Sequence, residues 1–68
     1  MRYLVKVCTG KRWRTVGSVY GRDVMEAMHN ARAKFRATRV MVCEWDRADD
    51  LLRLEATRLD DDHENEPQ

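Results

Sequence analysis

The fold is decided first by residues 23–35, which read DVMEAMHNARAKF. The apolar side chains of this stretch recur at helical spacing and form one stripe of Val24, Ala27, Met28, Ala31 and Phe35. Asp23 suits the N-cap of a helix, and Glu26 three residues later completes the pattern of a capping box. The stretch therefore predicts an amphipathic helix that begins after Asp23 and packs its apolar stripe against a sheet.

Two strands joined by a turn are predicted before this helix. Residues 2–8 and 13–20 are rich in β-branched and aromatic side chains, and the apolar residues of the first stretch alternate as in a strand. Residues 9–12 have turn chemistry. Gly17 interrupts the second strand and predicts a β-bulge. Together these stretches predict a hairpin with a strongly basic tip.

The chain after the helix predicts a third strand over residues 39–45 and a turn over residues 46–50, which read DRADD. Residues 51–59 allow two interpretations. A strand, which we favour, has Leu52, Leu54 and Ala56 on one face. The alternative is a helix that brings together Leu52, Glu55 or Ala56, and Leu59, in a stretch rich in good helix formers.

The order of these elements predicts an α+β fold. We expect an antiparallel sheet of three to four strands with one helix packed on a face, in the order β-β-α-β-β. Residues 1–59 form the single predicted domain. Residues 60–68 are acidic and lack apolar side chains, which predicts a flexible, disordered tail. The second face of the sheet is expected to meet solvent or a partner, with Trp13 or Trp45 as a candidate anchor.

Length and motifs argue against catalysis. The 68 residues make one small domain, whose thin core argues against a deep substrate cavity. No G-x-S-x-G, phosphate-loop or H-E-x-x-H spacing is present. We therefore expect a protein that is not an enzyme and that has no cofactor, no metal site and no small-molecule substrate.

Cysteine usage and hydropathy bear on the cellular environment. The only two cysteines, Cys8 and Cys43, do not make a disulfide framework and are expected to be buried structural thiols. The chain contains neither the apolar run of a signal peptide nor a stretch long enough to span a membrane. These features predict a cytoplasmic protein without membrane contact.

Charge is distributed unevenly along the chain. Ten basic residues accompany three acidic ones through Trp45, whereas three basic residues accompany nine acidic ones after it. At the hairpin tip, basic side chains interleaved with tryptophan suit phosphates and a stacked base. These tip candidates are Lys11, Arg12, Trp13 and Arg14. A second basic cluster consists of Arg32, Lys34, Arg36 and Arg39. The acidic candidates for partner binding, which would imitate a row of phosphates, are Asp46, Asp49, Asp50, Glu55, Asp60 and Asp61.

Residues 15–45 also carry a pattern of a known family. The run has a Val-Gly-Ser step, an acidic helix start, an Ala-x-x-Asn-Ala-Arg helix and a following strand with tryptophan. The residues that carry this pattern are Val16, Gly17, Ser18, Asp23, Ala27, Asn30, Ala31, Arg32, Phe35 and Trp45. The pattern resembles the small non-catalytic subunit of the multicomponent phenylacetyl-coenzyme A epoxidase. The resemblance implies a structural role in which the chain bridges the catalytic and partner subunits.

These features together predict a small binding protein that occupies a surface of a larger protein or ribonucleoprotein complex. Size and charge are similar to those of small phage anti-CRISPR proteins. The leading expectation is therefore an inhibitor from a phage or mobile element that competes with nucleic acid through its acidic residues. One alternative is the structural bridging subunit of a multicomponent oxygenase. The other is direct binding of nucleic acid through the basic hairpin tip.

Overall fold

The chain builds one antiparallel sheet with a helix on each of its two faces. The computed structural model describes the backbone of residues 1–64 and the side chains of residues 1–61. The elements follow in the order β1 (Arg2–Thr9), β2 (Arg12–Tyr20), α1 (Val24–Phe35), β3 (Val40–Glu44), a 3-10 turn (Trp45–Arg47) and α2 (Asp50–Glu64). The predicted α+β class, the three strands and the first helix are confirmed.

The sheet has the strand order β2-β1-β3, and the central strand β1 is antiparallel to both neighbours. Val5 lies opposite Gly17 and Lys6 lies opposite Thr15, so that Val16 has no partner on β1. This irregularity is a β-bulge, as the glycine in this strand predicted. Gly17 has a φ of +148°, a conformation that side chains with a Cβ rarely adopt.

Helix α1 covers one face of the sheet and forms the main core with it. The buried residues of this core are Tyr3, Val5, Val19, Ala27, Ala31 and Val40. Ala27 and Ala31 are fully buried, and their small side chains let the helix lie close to the strands. Asp23 accepts a hydrogen bond of 2.9 Å from the backbone N–H of Glu26, which confirms the predicted N-cap.

The fourth strand predicted for residues 51–59 is wrong, because this stretch lies within helix α2. The element order is therefore β-β-α-β-α, and the fold has two helices where one was expected. Asp49 caps the second helix. Its Oδ1 accepts a hydrogen bond of 2.8 Å from the backbone N–H of Leu51, and its carbonyl oxygen accepts one of 3.0 Å from Arg53.

The packing of α2 shows why the helical alternative is correct. Ala56 is fully buried, with Leu52 and Leu59 on the same side of the helix at spacings of four and three residues. Leu54, which a strand would place on the same face as Leu52 and Ala56, is 58% exposed. The alternation of leucines that favoured a strand therefore does not correspond to the buried face.

The second helix continues beyond the expected domain boundary at Leu59. It spans Asp50–Glu64, and Asp60, which lies in the predicted tail, contacts β2 through Ser18. The ordered part of the chain therefore includes at least the first residue of the segment 60–68. The disorder predicted for the rest of that segment falls on residues 62–68, whose side chains lie outside the described residues.

Helix α2 covers only part of the second face of the sheet. It packs mainly on β2 and also contacts β1, where it helps to bury Leu4. On β3, Met41 is 49% exposed and Cys43 is also exposed. Within the described part of the chain, neither helix is long and apolar enough to cross a membrane.

Candidate functional site

A polar cluster joins α2 to the outer edge of β2. Asp60 accepts a hydrogen bond of 3.1 Å from the backbone N–H of Ser18 and another of 2.5 Å from the Ser18 hydroxyl. Lys34 of α1 donates to the carbonyl oxygen of Ser18 at 2.9 Å, and its Nζ lies 3.3 Å from Oδ1 of Asp60. Nη2 of Arg2 lies 3.6 Å from Oδ2 of Asp60. We call Arg2, Ser18, Lys34 and Asp60 the Asp60 cluster.

The environment of Asp60 favours its ionised form. Partial burial acts to raise the pKa of the carboxyl group. The hydrogen bonds from Ser18 and the positive charge of Lys34 act in the opposite direction and outweigh burial, so that the pKa of Asp60 lies below its ordinary value. The side chain is 13% exposed and is engaged by three elements of its own chain. Its contacts therefore serve the fold.

The other acidic candidates lie on different parts of the surface and do not form a cluster. Asp46 is exposed in the 3-10 turn, Asp49 caps α2, and Asp50 forms an ion pair with Arg53 one turn later. Glu55 lies on the side of α2 that faces the start of β2. This arrangement leaves no continuous row of free carboxylates across the candidates.

Asp61, in the second half of α2, is also separate from the other acidic candidates on the helix. It is exposed and borders a cavity of about 300 Å³ together with members of the Asp60 cluster. Glu55 borders a different groove, next to Trp13 and Arg14. The sequence placed these carboxylates close together in the chain, but the helix directs them to different sides.

The basic candidates, in contrast, lie together at the end of the β1–β2 hairpin. Residues 11–14, which we call the hairpin tip, comprise Lys11, Arg12, Trp13 and Arg14, and all four are exposed. Among the side chains described, no carboxylate forms an ion pair with the three cations of the tip. The positive charge at the tip is therefore not neutralised by close contacts within the described structure.

Trp13 and Trp45 are the two candidate anchors, and Trp13 is the more exposed of the two. Trp13 is 42% exposed, and the guanidinium carbon of Arg39 lies 6.0 Å from the centre of its ring. Trp45 is half-buried, and the guanidinium carbon of Arg2 lies 3.7 Å from its ring centre. Arg2 thus occupies one surface of Trp45, whereas Trp13 presents a large exposed aromatic side chain.

The hairpin tip continues into a groove between the sheet and α2. The groove has a volume of about 410 Å³, and its lining includes Lys6, Trp13, Arg14 and Glu55. Lys6 is half-buried on the central strand. Glu55 is the one carboxylate among the lining residues, so that cations outnumber anions around this groove.

The second basic cluster expected from the sequence is divided by the fold. Lys34 belongs to the Asp60 cluster, and Nε of Arg32 donates to the carbonyl oxygen of Thr38 at 3.3 Å. Arg36 adopts a left-handed conformation and forms the C-cap of α1. Arg39 alone of this group approaches the hairpin tip, through Trp13.

The cysteines differ from the expectation of two buried thiols. Cys8 is half-buried and Cys43 is exposed, and both are free. The loss of burial at Cys43 follows from the limited coverage of β3 by α2. Within the part of the chain that the structure describes, no group of three or more His, Cys, Asp or Glu side chains is arranged to hold a metal ion.

Comparison of the chain with protein-family models, with curated proteins and with solved structures gives no match. The resemblance of residues 15–45 to the epoxidase subunit therefore stays a prediction.

The basic surface formed by the hairpin tip and the adjoining groove includes two residues that the sequence did not assign to it, Lys6 and Arg39. The sequence predicts Lys6 only as part of the first strand and groups Arg39 with the second basic cluster. The pairing of β1 with both β2 and β3 places Lys6 opposite Thr15, next to the hairpin tip, and brings Arg39 beside Trp13. The alternation of Lys6 with Val5 and Val7 indicated its face, but no local signal indicated the position of Arg39.

Proposed function

We propose that this protein is a non-enzymatic module that binds single-stranded nucleic acid through the hairpin tip and the adjoining groove. The observation that carries the proposal is the exposed ring of Trp13 between cations that have no ion-pair partner in the described structure. Aromatic rings stack on unpaired bases and cations hold the phosphates, and proteins that bind single strands combine these two contacts.

The shape of the site favours an unpaired strand. The groove beside Trp13 lies between the sheet and Leu52 of α2 and is lined by Lys6 and Arg14, so a strand whose base stacks on Trp13 meets these two cations in the groove and the other cations of the hairpin tip next to it. In a duplex the base faces are covered by neighbouring base pairs, and an aromatic side chain meets them only after unstacking, which costs free energy. A single strand avoids that cost.

The inhibitor expected from the acidic residues receives less support. Competition for a nucleic-acid groove requires carboxylates that are free and arranged along one surface. Asp60 is engaged by Ser18 and Lys34, and Asp50 is paired with Arg53. Only part of the acidic set is therefore available to a partner, and we retain the inhibitor as a competing outcome of the test.

The test is a titration of fluorescently labelled single-stranded DNA and RNA with the full chain, followed by fluorescence anisotropy at several salt concentrations. We expect Trp13→Ala to lower affinity by about 1–3 kcal/mol, the usual contribution of one stacked base. Replacing Lys11, Arg12 and Arg14 together by Gln should reduce the dependence of log K on log salt by about 2, since each phosphate contact on a single strand contributes about 0.7.

A charge-matched control separates the site from general attraction. Arg22, Arg36 and Arg58 are exposed and lie outside the hairpin tip, and their joint replacement by Gln removes the same charge. The proposal requires that this control keeps most of the affinity. It is overturned if no oligonucleotide binds at low salt, or if the control loses as much affinity as the tip variant.

A pull-down with the full chain distinguishes the competing classes. The inhibitor hypothesis predicts capture of a nucleic-acid-binding complex that is lost when Asp46, Asp49 and Asp50 are changed to Asn. The structural-subunit hypothesis predicts a stoichiometric metabolic complex that resists salt. Either result, together with unchanged binding by the Trp13→Ala variant, would replace the present proposal.

A further inference from the structure

The two outer edges of the sheet differ in how their backbone groups are satisfied. On the β2 edge, the N–H of Ser18 donates to Asp60 and its carbonyl oxygen accepts from Lys34. On the β3 edge, no comparable hydrogen bond to the backbone of Val40 or Val42 is present within the described structure. The β2 edge is therefore closed by side chains at Ser18, whereas the described β3 edge is open to pairing at Val40 and Val42.

The register of β3 identifies which backbone groups point outward. The N–H of Cys8 donates to the carbonyl oxygen of Arg39 at 3.1 Å, in the same register as the β1–β3 ladder. Hydrogen-bonded pairs alternate with non-hydrogen-bonded pairs in an antiparallel ladder. The N–H and C=O groups of Val40, Val42 and Glu44 therefore point away from β1.

The side chains of β3 do not protect this edge. The strand reads VMVCE and contains neither lysine nor proline, the residues that commonly prevent edge-to-edge association. Its only charge is Glu44, at the last position. On the face that α2 leaves open, Met41 is 49% exposed and Cys43 is also exposed.

We propose that β3 pairs with β3 of a second copy of this chain, antiparallel and about a two-fold axis at Val42. In this register Val42 lies opposite Val42 of the second copy, and Val40 lies opposite Glu44. These are the residues whose backbone groups point outward, so each pair exchanges both of its hydrogen bonds. The two three-stranded sheets become one continuous sheet with isologous contacts.

The side chains and charges of β3 favour a second copy in this orientation. Met41 lies opposite Cys43 of the second copy, on the face where both are exposed. An apolar groove of about 270 Å³, lined in part by Leu4, Cys43 and Leu52, lies beside that position and has room for the incoming methionine. Antiparallel pairing in this register places Glu44 opposite Val40 and Arg39 opposite Trp45 of the second copy, so that no like charges meet, whereas parallel in-register pairing brings Glu44 beside Glu44.

The pairing is compatible with the proposed nucleic-acid site but does not depend on it. In the continuous sheet, β2 of each copy lies at an outer edge, so both hairpin tips remain available. A test that measures mass is therefore independent of a test that measures binding of an oligonucleotide.

The experiment measures the molar mass of the full chain over a range of concentrations by sedimentation equilibrium. We expect a mass that rises to about twice the 8.1 kDa of one chain.

Val42→Pro should shift the equilibrium toward the single chain, because it removes an N–H that points away from β1. Met41→Lys places a charge at the pairing surface and leaves every backbone group in place. It should also shift the equilibrium toward the single chain, and it replaces the proline variant as the test if that variant does not fold. Met25→Lys, at an 81% exposed position on α1, is the matched control and should not change the mass.

Cross-linking tests the register. In a chain that carries Cys8→Ser, the further change Met41→Cys puts a thiol opposite Cys43 of the second copy, at a Cα separation of about 4.5 Å that suits a disulfide. Oxidised glutathione should then yield a covalent dimer faster than in the same background with Met25→Cys. The proposal is overturned if the molar mass at millimolar concentration is that of one chain. It is also overturned if a dimer forms that Met41→Lys does not weaken and the Met41→Cys and Met25→Cys variants cross-link at equal rates.

Discussion

The backbone N–H of Ser18 donates a hydrogen bond of 3.1 Å to Oδ1 of Asp60, 42 residues later in the chain. This bond satisfies a donor on the edge strand β2 and fastens α2 to the sheet. Lys34 satisfies the carbonyl oxygen of the same serine from α1. A single position on β2 is therefore held by both helices, and these contacts fasten the second helix to the small sheet of this 68-residue chain.

Asp60→Asn should destabilise the protein by about 1.5–3 kcal/mol at neutral pH, the usual contribution of hydrogen bonds to a charged group. The amide has one acceptor oxygen where the carboxylate has two, so it cannot accept both hydrogen bonds from Ser18 as they stand, and it loses the charge attraction to Lys34 and Arg2. Urea unfolding followed by circular dichroism measures the change. Asp61→Asn, at an exposed neighbouring position, is the control and should change stability by less than about 0.5 kcal/mol.

The same carboxylate predicts a pH dependence of stability. Because the pKa of Asp60 is lower in the folded state than its ordinary value, its stabilisation is fully present above the unfolded pKa of about 3.9. It is lost as the pH falls through the folded pKa. The native chain should therefore lose more stability on acidification than the Asp60→Asn variant, and parallel pH profiles of the two proteins would contradict this account.

Gly17→Ala should be more damaging than Gly10→Ala. At Gly17 the φ of +148° is strained for alanine, and a Cβ would contact the carboxylate of Asp60 and lie 3.0 Å from Cζ of Phe35. The backbone strain alone costs about 1–3 kcal/mol. Gly10 has a φ of +65° with open space around a Cβ, so its replacement should cost about 1 kcal/mol. Equal midpoints of the two variants in urea would show that the bulge relaxes without loss.

Asp49→Ala should remove the N-cap of α2 and cost about 0.5–2 kcal/mol. The change should lower the urea midpoint with little change in the sheet signal. Asp46→Ala is a suitable comparison, because Asp46 is exposed in the 3-10 turn and caps no helix in the described structure. If both variants keep the native midpoint, Asp49 does not contribute to the start of α2.

Two truncations test where the packed domain ends. Ending the chain after Asp62 removes no apolar residue and keeps Asp60, so its Tm should equal that of the full chain. Ending it after Leu59 removes Asp60 and leaves the backbone N–H of Ser18 without this acceptor. Its Tm should fall by at least about 4 °C, since a loss of 1 kcal/mol corresponds to about 4–8 °C in a domain of this size. Equal Tm values for the two truncations would show that the domain ends at Leu59.

The candidate site was predictable in part. The hairpin tip could be found because Lys11 to Arg14 are contiguous and follow a turn signal, so that their proximity is local. The acidic set could not be judged in the same way. Whether Asp50 or Asp60 is free depends on Arg53 and on Ser18, and the second of these contacts joins distant parts of the chain.

The sequence by itself determined the elements whose signals are local. The apolar stripe and the Asp23 cap specify α1, and the alternation of residues 2–8 specifies β1, because these patterns arise from backbone geometry within one segment. The tertiary structure alone decided the state of residues 51–59, whose leucines suit either a strand or a helix. The helix is selected because Leu52, Ala56 and Leu59 bury one face on the sheet while Asp60 reaches the edge of β2. Such contacts between distant segments are absent from any local pattern, so only the folded chain distinguishes the two states.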